Sequence, residues 1–209
     1  MIIQSDFDGT LTEEDVSFAL LDAFAEGDWR KLYEQYRQNK MTVGDFNSKA
    51  FAMVKAGRDE LLRVAREEVK LREGLRNLVN YCQDRGFRFL VVSNGLDFYI
   101  KEILEDVGLG NIEVYAARTN FSPEGLKVQY IGPEGAVLKK GFKEAYTKLF
   151  LKQGYQVVCI GNGPSDFFPA ALSQQVFARD GLMGICKVKK LKCQPFDDLN
   201  DVVRGLEKL

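Results

Sequence analysis

Residues 5–12 read "SDFDGTLT" and follow the short apolar start "MIIQ". Two aspartates one residue apart at the end of an apolar run need a reason, because burying even one unpaired carboxylate costs several kcal/mol. A bound cation or a chemical task supplies one. Similar polar features stand at the ends of later apolar runs: Ser93-Asn94-Gly95 after "FLVV", and "NGPSD", Asn162 to Asp166, after "VVCI". Lys139 and Lys140 open a helix-like stretch just before that last run. Brought together, these groups offer carboxylates for a hard cation, a hydroxyl and backbone amides for a phosphate, and an ammonium for residual anionic charge. The chain has no histidine. Ser-His-Asp and Cys-His triads and HExxH zinc sites are therefore absent, and acid–base chemistry falls to carboxylates, lysine, tyrosine or a metal-bound water.

The elements that must position these groups follow from the apolar pattern. Runs at 1–7, 87–92, 113–117, 156–160 and 175–178 are continuously apolar rather than alternating, which predicts strands covered on both faces. Helix-like stretches lie at roughly 75–85, 97–107, 141–152, 165–173 and 198–208. Strand alternating with helix predicts an α/β fold, a Rossmann-like parallel sheet with right-handed crossovers. In such a sheet ligands gather at the carboxyl ends of the strands, where the polar features sit. One connection is out of proportion: roughly 75 residues of helical character separate the first strand from the second. A plain crossover needs a dozen or so residues plus one helix. Residues 13–72 are therefore expected to form a helical cap inserted into a core made of 1–12 and 73–209. Turn dipeptides around a short alternating run at 119–136 predict a β-hairpin.

Composition narrows the function classes. With 29 Lys+Arg against 30 Asp+Glu, no global field draws the chain to nucleic acid or to an anionic membrane. Its apolar runs fall far short of the ~20 residues that span a bilayer, and no signal-peptide pattern precedes them. A cytoplasmic protein is expected. Cys82, Cys159, Cys186 and Cys193 match no CxxC spacing and are expected to be reduced, mostly buried thiols.

In order along the chain, "DFDGT", "VVSNG", "KKG" and "GNGPSD" resemble the four motifs of the haloacid dehalogenase superfamily phosphatases, spanning residues 6 to 166. The resemblance implies that Asp6 is the nucleophile, forming an aspartyl-phosphate, and that Asp8 protonates the leaving alcohol and later activates water. An aspartate at the second position favours a phosphatase over a dehalogenase, which needs no such acid. Ser93, with the backbone amides of Asn94 and Gly95, would bind the phosphoryl oxygens. Spacing to the following strand favours Lys140 as the motif lysine, with Lys139 and Lys143 as competitors. The implied cofactor is Mg2+, with Asp6, Asp8, Asn162 and Asp166 as its expected ligand set. Asn162 departs from the family pattern, which has an aspartate there; its carboxamide oxygen can still coordinate a hard cation but brings no charge.

A helical cap between the first two motifs places the chain near phosphoserine phosphatases and their relatives. Within that group "KLREGLRNLV", "SNGLDFYI" and "FARDGLMGIC" are similar to the methionine-salvage 2-hydroxy-3-keto-5-methylthiopentenyl-1-phosphate phosphatases, and "SDFFPA" to phosphocholine and phosphoethanolamine phosphatases. The expected partner is thus a small phosphorylated metabolite. For phosphoserine, the resemblance would put Asp15 or Glu14 on the substrate ammonium, while the cap arginine that holds the carboxylate is replaced by Lys49, a poorer bidentate partner. Trp29, Tyr33 and "FAMV" would instead cover a less polar substrate. Two readings of another kind remain: a phosphate-binding regulatory protein that has lost turnover through Asn162, and a receiver-type phospho-acceptor, whose acceptor aspartate would end a later, central strand.

Overall fold

In the computed structural model, which describes residues 1–209, strand β1 (Ile2–Ser5) is buried along its whole length, as its unbroken apolar character requires. It pairs in parallel with β2 (Arg88–Leu96) on one side and β5 (Val157–Gly161) on the other. The seven-stranded sheet has the order β4-β3-β2-β1-β5-β6-β7, with β3 at Glu113–Asn120, β4 at Lys127–Gln129, β6 at Gln175–Ala178 and β7 at Gln194–Pro195. Only β4 runs antiparallel, forming with β3 the expected hairpin. The chain leaves β1 toward β2 and later returns to its other side through β5. The crevice opens at that switch point, at the carboxyl ends of β1, β2 and β5.

Helices α1 (Val16–Phe24), α2 (Trp29–Arg37), α3 (Val43–Phe51) and α4 (Arg58–Glu68) fill the long connection. They pair as α1 with α4 and α2 with α3, while α3 also packs on β4. The chain leaves and re-enters the core side by side, with Thr12 bridged to Leu71. Asp15, Asp28 and Thr42 cap the first three helices through their side chains, satisfying amide donors the helix itself leaves free. The remaining helices are α5 (Leu75–Asp84), α6 (Asp97–Asp106), α7 (Phe142–Lys152), α8 (Phe167–Leu172), α9 (Asp180–Lys189) and α10 (Leu199–Leu206). One apolar cluster runs from Ile2 and Val158 in the sheet to Leu20 and Phe51 in the insertion, so the inserted helices share the core. No helix is long and apolar enough to cross a membrane.

Three features differ from the sequence expectation. Helix α9 was not anticipated, because Gly181 and Gly184 break its pattern, and β7 is only two residues long. The four thiols are not all free: Cys186 at the end of α9 is joined to Cys193 before β7, while Cys82 and Cys159 are buried free thiols. The two joined cysteines are seven residues apart, a separation that only the turn after α9 brings together.

Candidate active site

Asp6 is the first residue beyond β1, and its amide still donates to Ile160 O (3.0 Å), continuing the β1–β5 ladder. Its Oδ1 accepts from Phe7 N at 2.7 Å. Its Oδ2 lies 2.7 Å from Lys143 Nζ, and the same ammonium lies 2.7 Å from Asp166 Oδ1. Lys143 is 3% exposed, so this carboxylate–ammonium–carboxylate row is dry. Burial opposes the Lys143 charge, but the Asp166 and Asp6 carboxylates outweigh it and hold its pKa above the ordinary lysine range. Asp166 Oδ2 accepts from the Asn162 and Gly163 amides, which fixes the turn after β5.

The loop after Asp6 is tied down by its own small residues. Thr12 Oγ1 accepts from Gly9 N (3.0 Å), and Thr10 Oγ1 donates to Asn162 Oδ1 (3.1 Å). Gly9 has φ +71°, and a Cβ there would lie 2.3 Å from Asn162 Nδ2, so both backbone and space demand glycine. Arg72, where the insertion rejoins the core, donates to the carbonyls of Gly9, Thr10 and Thr12 and to that of Asp197. A single buried guanidinium thus clamps the loop that carries Asp6 and Asp8.

Asp8 points toward the insertion. Its Oδ1 accepts from Val16 N (3.1 Å) at the start of α1, and its Oδ2 from the Tyr99 hydroxyl (2.5 Å) on α6. Burial first, and then the neighbouring Asp15 charge, push its pKa well above the usual carboxylate range. Asp15 is itself raised to about 7, chiefly by burial. Ser93, 1% exposed at the end of β2, accepts from Gly95 N through its Oγ.

These groups line a cavity of about 340 Å3 between the core and the insertion. Six carboxylates (Asp6, Asp8, Glu13, Glu14, Asp15 and Asp180) face it, and Lys143 is its only lysine or arginine. The insertion contributes an aromatic wall: Phe18 stands edge-on to Tyr33 at 4.8 Å, and Phe46 packs on Tyr33 and Tyr36. Asn47 of α3 crosses to the core, donating to Asn94 O (3.0 Å) and to the Tyr130 hydroxyl. The Asn94 side-chain oxygen is buried beside the cavity without a hydrogen-bond partner.

Residues 3–168 match the family model described as haloacid dehalogenase-like hydrolase. The chain belongs to that family. A protein from Geobacillus thermodenitrificans (strain NG80-2), named 2-hydroxy-3-keto-5-methylthiopentenyl-1-phosphate phosphatase, is 28% identical, with 100% of this chain and 96% of the relative covered. A relative of the same name from Brevibacillus brevis (strain 47) is 26% identical over the same shares. Among solved structures, a substrate-bound phosphoserine phosphatase complex superposes with a TM-score of 0.71 at 21% identity, covering 98% of this chain and 97% of that one. A phospho-aspartyl intermediate analogue of phosphoserine phosphatase gives 0.72 at 22% identity with the same coverage. These likenesses show the shared fold.

Within this hydrolase fold Asp6, Asp8, Ser93, Asn94, Gly95, Asn162 and Asp15 all line the one cavity. Lys140 does not. It is exposed ahead of α7 and outside that cavity, as is Lys139, and the ammonium beside Asp6 belongs to Lys143. The clue was legible in principle, since Lys143 shares the buried stripe of Tyr146, Thr147 and Phe150. Lys49 is also exposed and outside the cavity, because α3 turns Phe46 and Asn47 inward instead. Of the aromatic expectations, Tyr33 lines the wall, whereas Trp29, Phe51 and Val54 belong to the core. Gly95 spends its amide on Ser93 Oγ. The Asp8 oxygens accept from Val16 N and the Tyr99 hydroxyl, whereas Asp166 does not line the cavity and its oxygens meet Lys143 Nζ and the Asn162 and Gly163 amides.

The cavity still suits a hard cation. Its donors are oxygens, and its excess of carboxylates would repel a phosphate unless positive charge entered with it. No three acidic or cysteine side chains converge on one point, so a cation here would combine the Asp6 carboxylate with the Asn162 carboxamide oxygen. Arg72, Tyr99, Asn47 and Tyr130 were not foreseen. Their partners lie from 36 to 125 positions away in the chain, and no local pattern marks them.

Proposed function

We propose that this chain is a Mg2+-dependent phosphoric monoester hydrolase acting through an aspartyl-phosphate on Asp6, with residues 13–72 as the cap over its substrate. An Asp6 oxygen attacks phosphorus in line, the ester P–O bond breaks, and the alcohol leaves with a proton from Asp8. Water, deprotonated by Asp8, then cleaves the aspartyl-phosphate and returns Asp6 to its starting state. Ser93 offers a hydroxyl to the phosphoryl oxygens, and Lys143, 2.7 Å from Asp6 Oδ2, adds positive charge beside it. Asp6 and Asn162 are the residues that would hold Mg2+, which when bound neutralises phosphate charge.

For the substrate we propose an enol-phosphate of the methionine-salvage type, 2-hydroxy-3-keto-5-methylthiopentenyl-1-phosphate. The observation that carries this choice is the cavity wall: it is aromatic, and apart from Lys143, already shared by two carboxylates, it holds no cation. A phosphoserine carboxylate would meet Glu14 and Asp15 without a partner, at a high desolvation cost. A hydroxylated, uncharged leaving group avoids that cost. The relatives named above support the same choice.

The test is a hydrolysis screen with Mg2+ of this enol-phosphate, phosphoserine, phosphocholine and phosphoethanolamine, run beside Asp6→Asn. The enol-phosphate is expected to give the highest kcat/KM, and the variant no measurable turnover with its fold retained. A tenfold or greater preference for another ester would overturn the substrate assignment. Wild-type silence on all four would overturn the enzyme and leave the phosphate-binding regulatory reading in its place.

A further inference from the structure

Tyr99 lies in the first turn of α6 and is fully buried. Its hydroxyl is 2.5 Å from Asp8 Oδ2 and 2.8 Å from Ser17 Oγ, so it bridges the core to the start of α1. The approach depends on Gly95: a Cβ there would stand 2.2 Å from the Tyr99 hydroxyl and 2.3 Å from Asp8 Oδ2. A phenylalanine would fill nearly the same volume without bringing a hydroxyl that must be satisfied, and the hydroxyl meets the one carboxylate assigned to proton transfer.

We infer that Tyr99 is a positioning residue for proton delivery by Asp8, an inference that rests on the phosphatase reading above. With the Val16 amide on Oδ1 and the Tyr99 hydroxyl on Oδ2, the Asp8 carboxyl cannot swing away from the leaving group. In the first step the Asp6–phosphorus bond forms, the ester P–O bond breaks with its electron pair on the alcohol oxygen, and the Asp8 proton moves to that oxygen. Asp8 is left as a carboxylate facing the Tyr99 O–H. A hydrogen bond to an ionised acceptor is stronger than one to a neutral carboxyl, so this contact gains strength as the proton leaves. The contribution therefore scales with how much protonation the leaving oxygen needs.

The experiment follows phenol release in a single turnover, enzyme in excess with Mg2+, from phenyl phosphate and from p-nitrophenyl phosphate. The two esters are similar in size, but nitrophenolate leaves with little help from a proton. Tyr99→Phe is expected to slow release from phenyl phosphate about tenfold or more and from p-nitrophenyl phosphate less than about threefold. In an Asp8→Asn background the same change is expected to have no further effect on either ester, because Tyr99 acts through Asp8. Equal losses on both esters, no loss on either, or a full additional loss in the Asp8→Asn background would overturn the inference while leaving the phosphatase intact. Release from neither ester by a wild type that is also silent on the four esters screened above would remove the phosphatase reading, and this inference with it; release from neither by a wild type active in that screen moves the comparison of Tyr99→Phe and Asp8→Asn to the best ester of the screen, where an additive loss would overturn the inference.

Discussion

The two walls of the cavity hold charge in opposite ways. On the core side Asp6, Lys143 and Asp166 lock one another in place, and every polar atom of the row has a partner close by. On the insertion side, Asp15 and Glu14 sit among Phe18, Tyr33, Tyr36 and Phe46 with no cation beside them. The core wall is preorganised for the part common to every phosphate ester, since interactions already in place cost no reorganisation during reaction. In the proposed reaction the insertion wall meets the part that differs, the leaving group. Its weakly compensated carboxylates select against anions there.

The contrast breaks most sharply at Lys143. Lys143→Ala leaves two buried carboxylates facing one another, so activity should be lost and stability should fall by about 3–5 kcal/mol. Lys140→Ala, at the exposed position that the spacing favoured, should change stability by less than about 0.5 kcal/mol and leave turnover near wild type. Urea unfolding and a hydrolysis assay on the two variants read both effects, and the reverse ranking would dissolve the core row.

Asn162→Asp sharpens the same wall by restoring charge beside Asp6. The Mg2+ concentration for half-maximal activity should fall about tenfold, and calorimetric binding of Mg2+ should tighten with it. In chelator the variant should melt below the wild type, because another carboxylate joins an already acidic cavity. Unchanged Mg2+ binding would place residue 162 away from the cation.

The insertion wall is expected to answer to pH. Asp15 holds its proton up to about pH 7 when folded, against 3.8 for the free side chain. Between those values the folded state binds more protons than the unfolded one, so stability falls as pH rises through that window. Asp15→Asn keeps the helix cap but carries no charge, so it should melt above the wild type at about pH 8, with the gap closing toward pH 4. Each recovered kcal/mol is worth about 2–4 °C in a chain of this size. Equal melting temperatures at the higher pH would mean that Asp15 titrates as an ordinary exposed carboxylate.

Much of this was legible in the residues themselves. Runs such as "FLVV" and "VVCI" mark strands because only a sheet covered on both faces tolerates them, and Asp6, Ser93 and Asn162 follow those runs directly. A parallel sheet brings consecutive strand ends to one edge, so order along the chain was enough to gather the core wall. Helix direction was harder to read. Lys139, Lys140 and Lys143 are all close to the start of α7, and spacing to the next strand favours Lys140; the turn of the helix buries Lys143. Lys49 was misjudged in the same way, since one residue of rotation separates it from the inward-facing face of Phe46 and Asn47.

The sequence by itself determined the sheet, the inserted helices and the aspartates at the first strand's end, because burial and periodicity are local properties of the chain. Only the tertiary structure decided which ammonium meets Asp6, that Arg72 holds the loop after the first strand and Tyr99 its Asp8 carboxylate, and that Cys186 joins Cys193. Those contacts arise where separate elements pack together, and their strength comes from burial that no residue carries on its own.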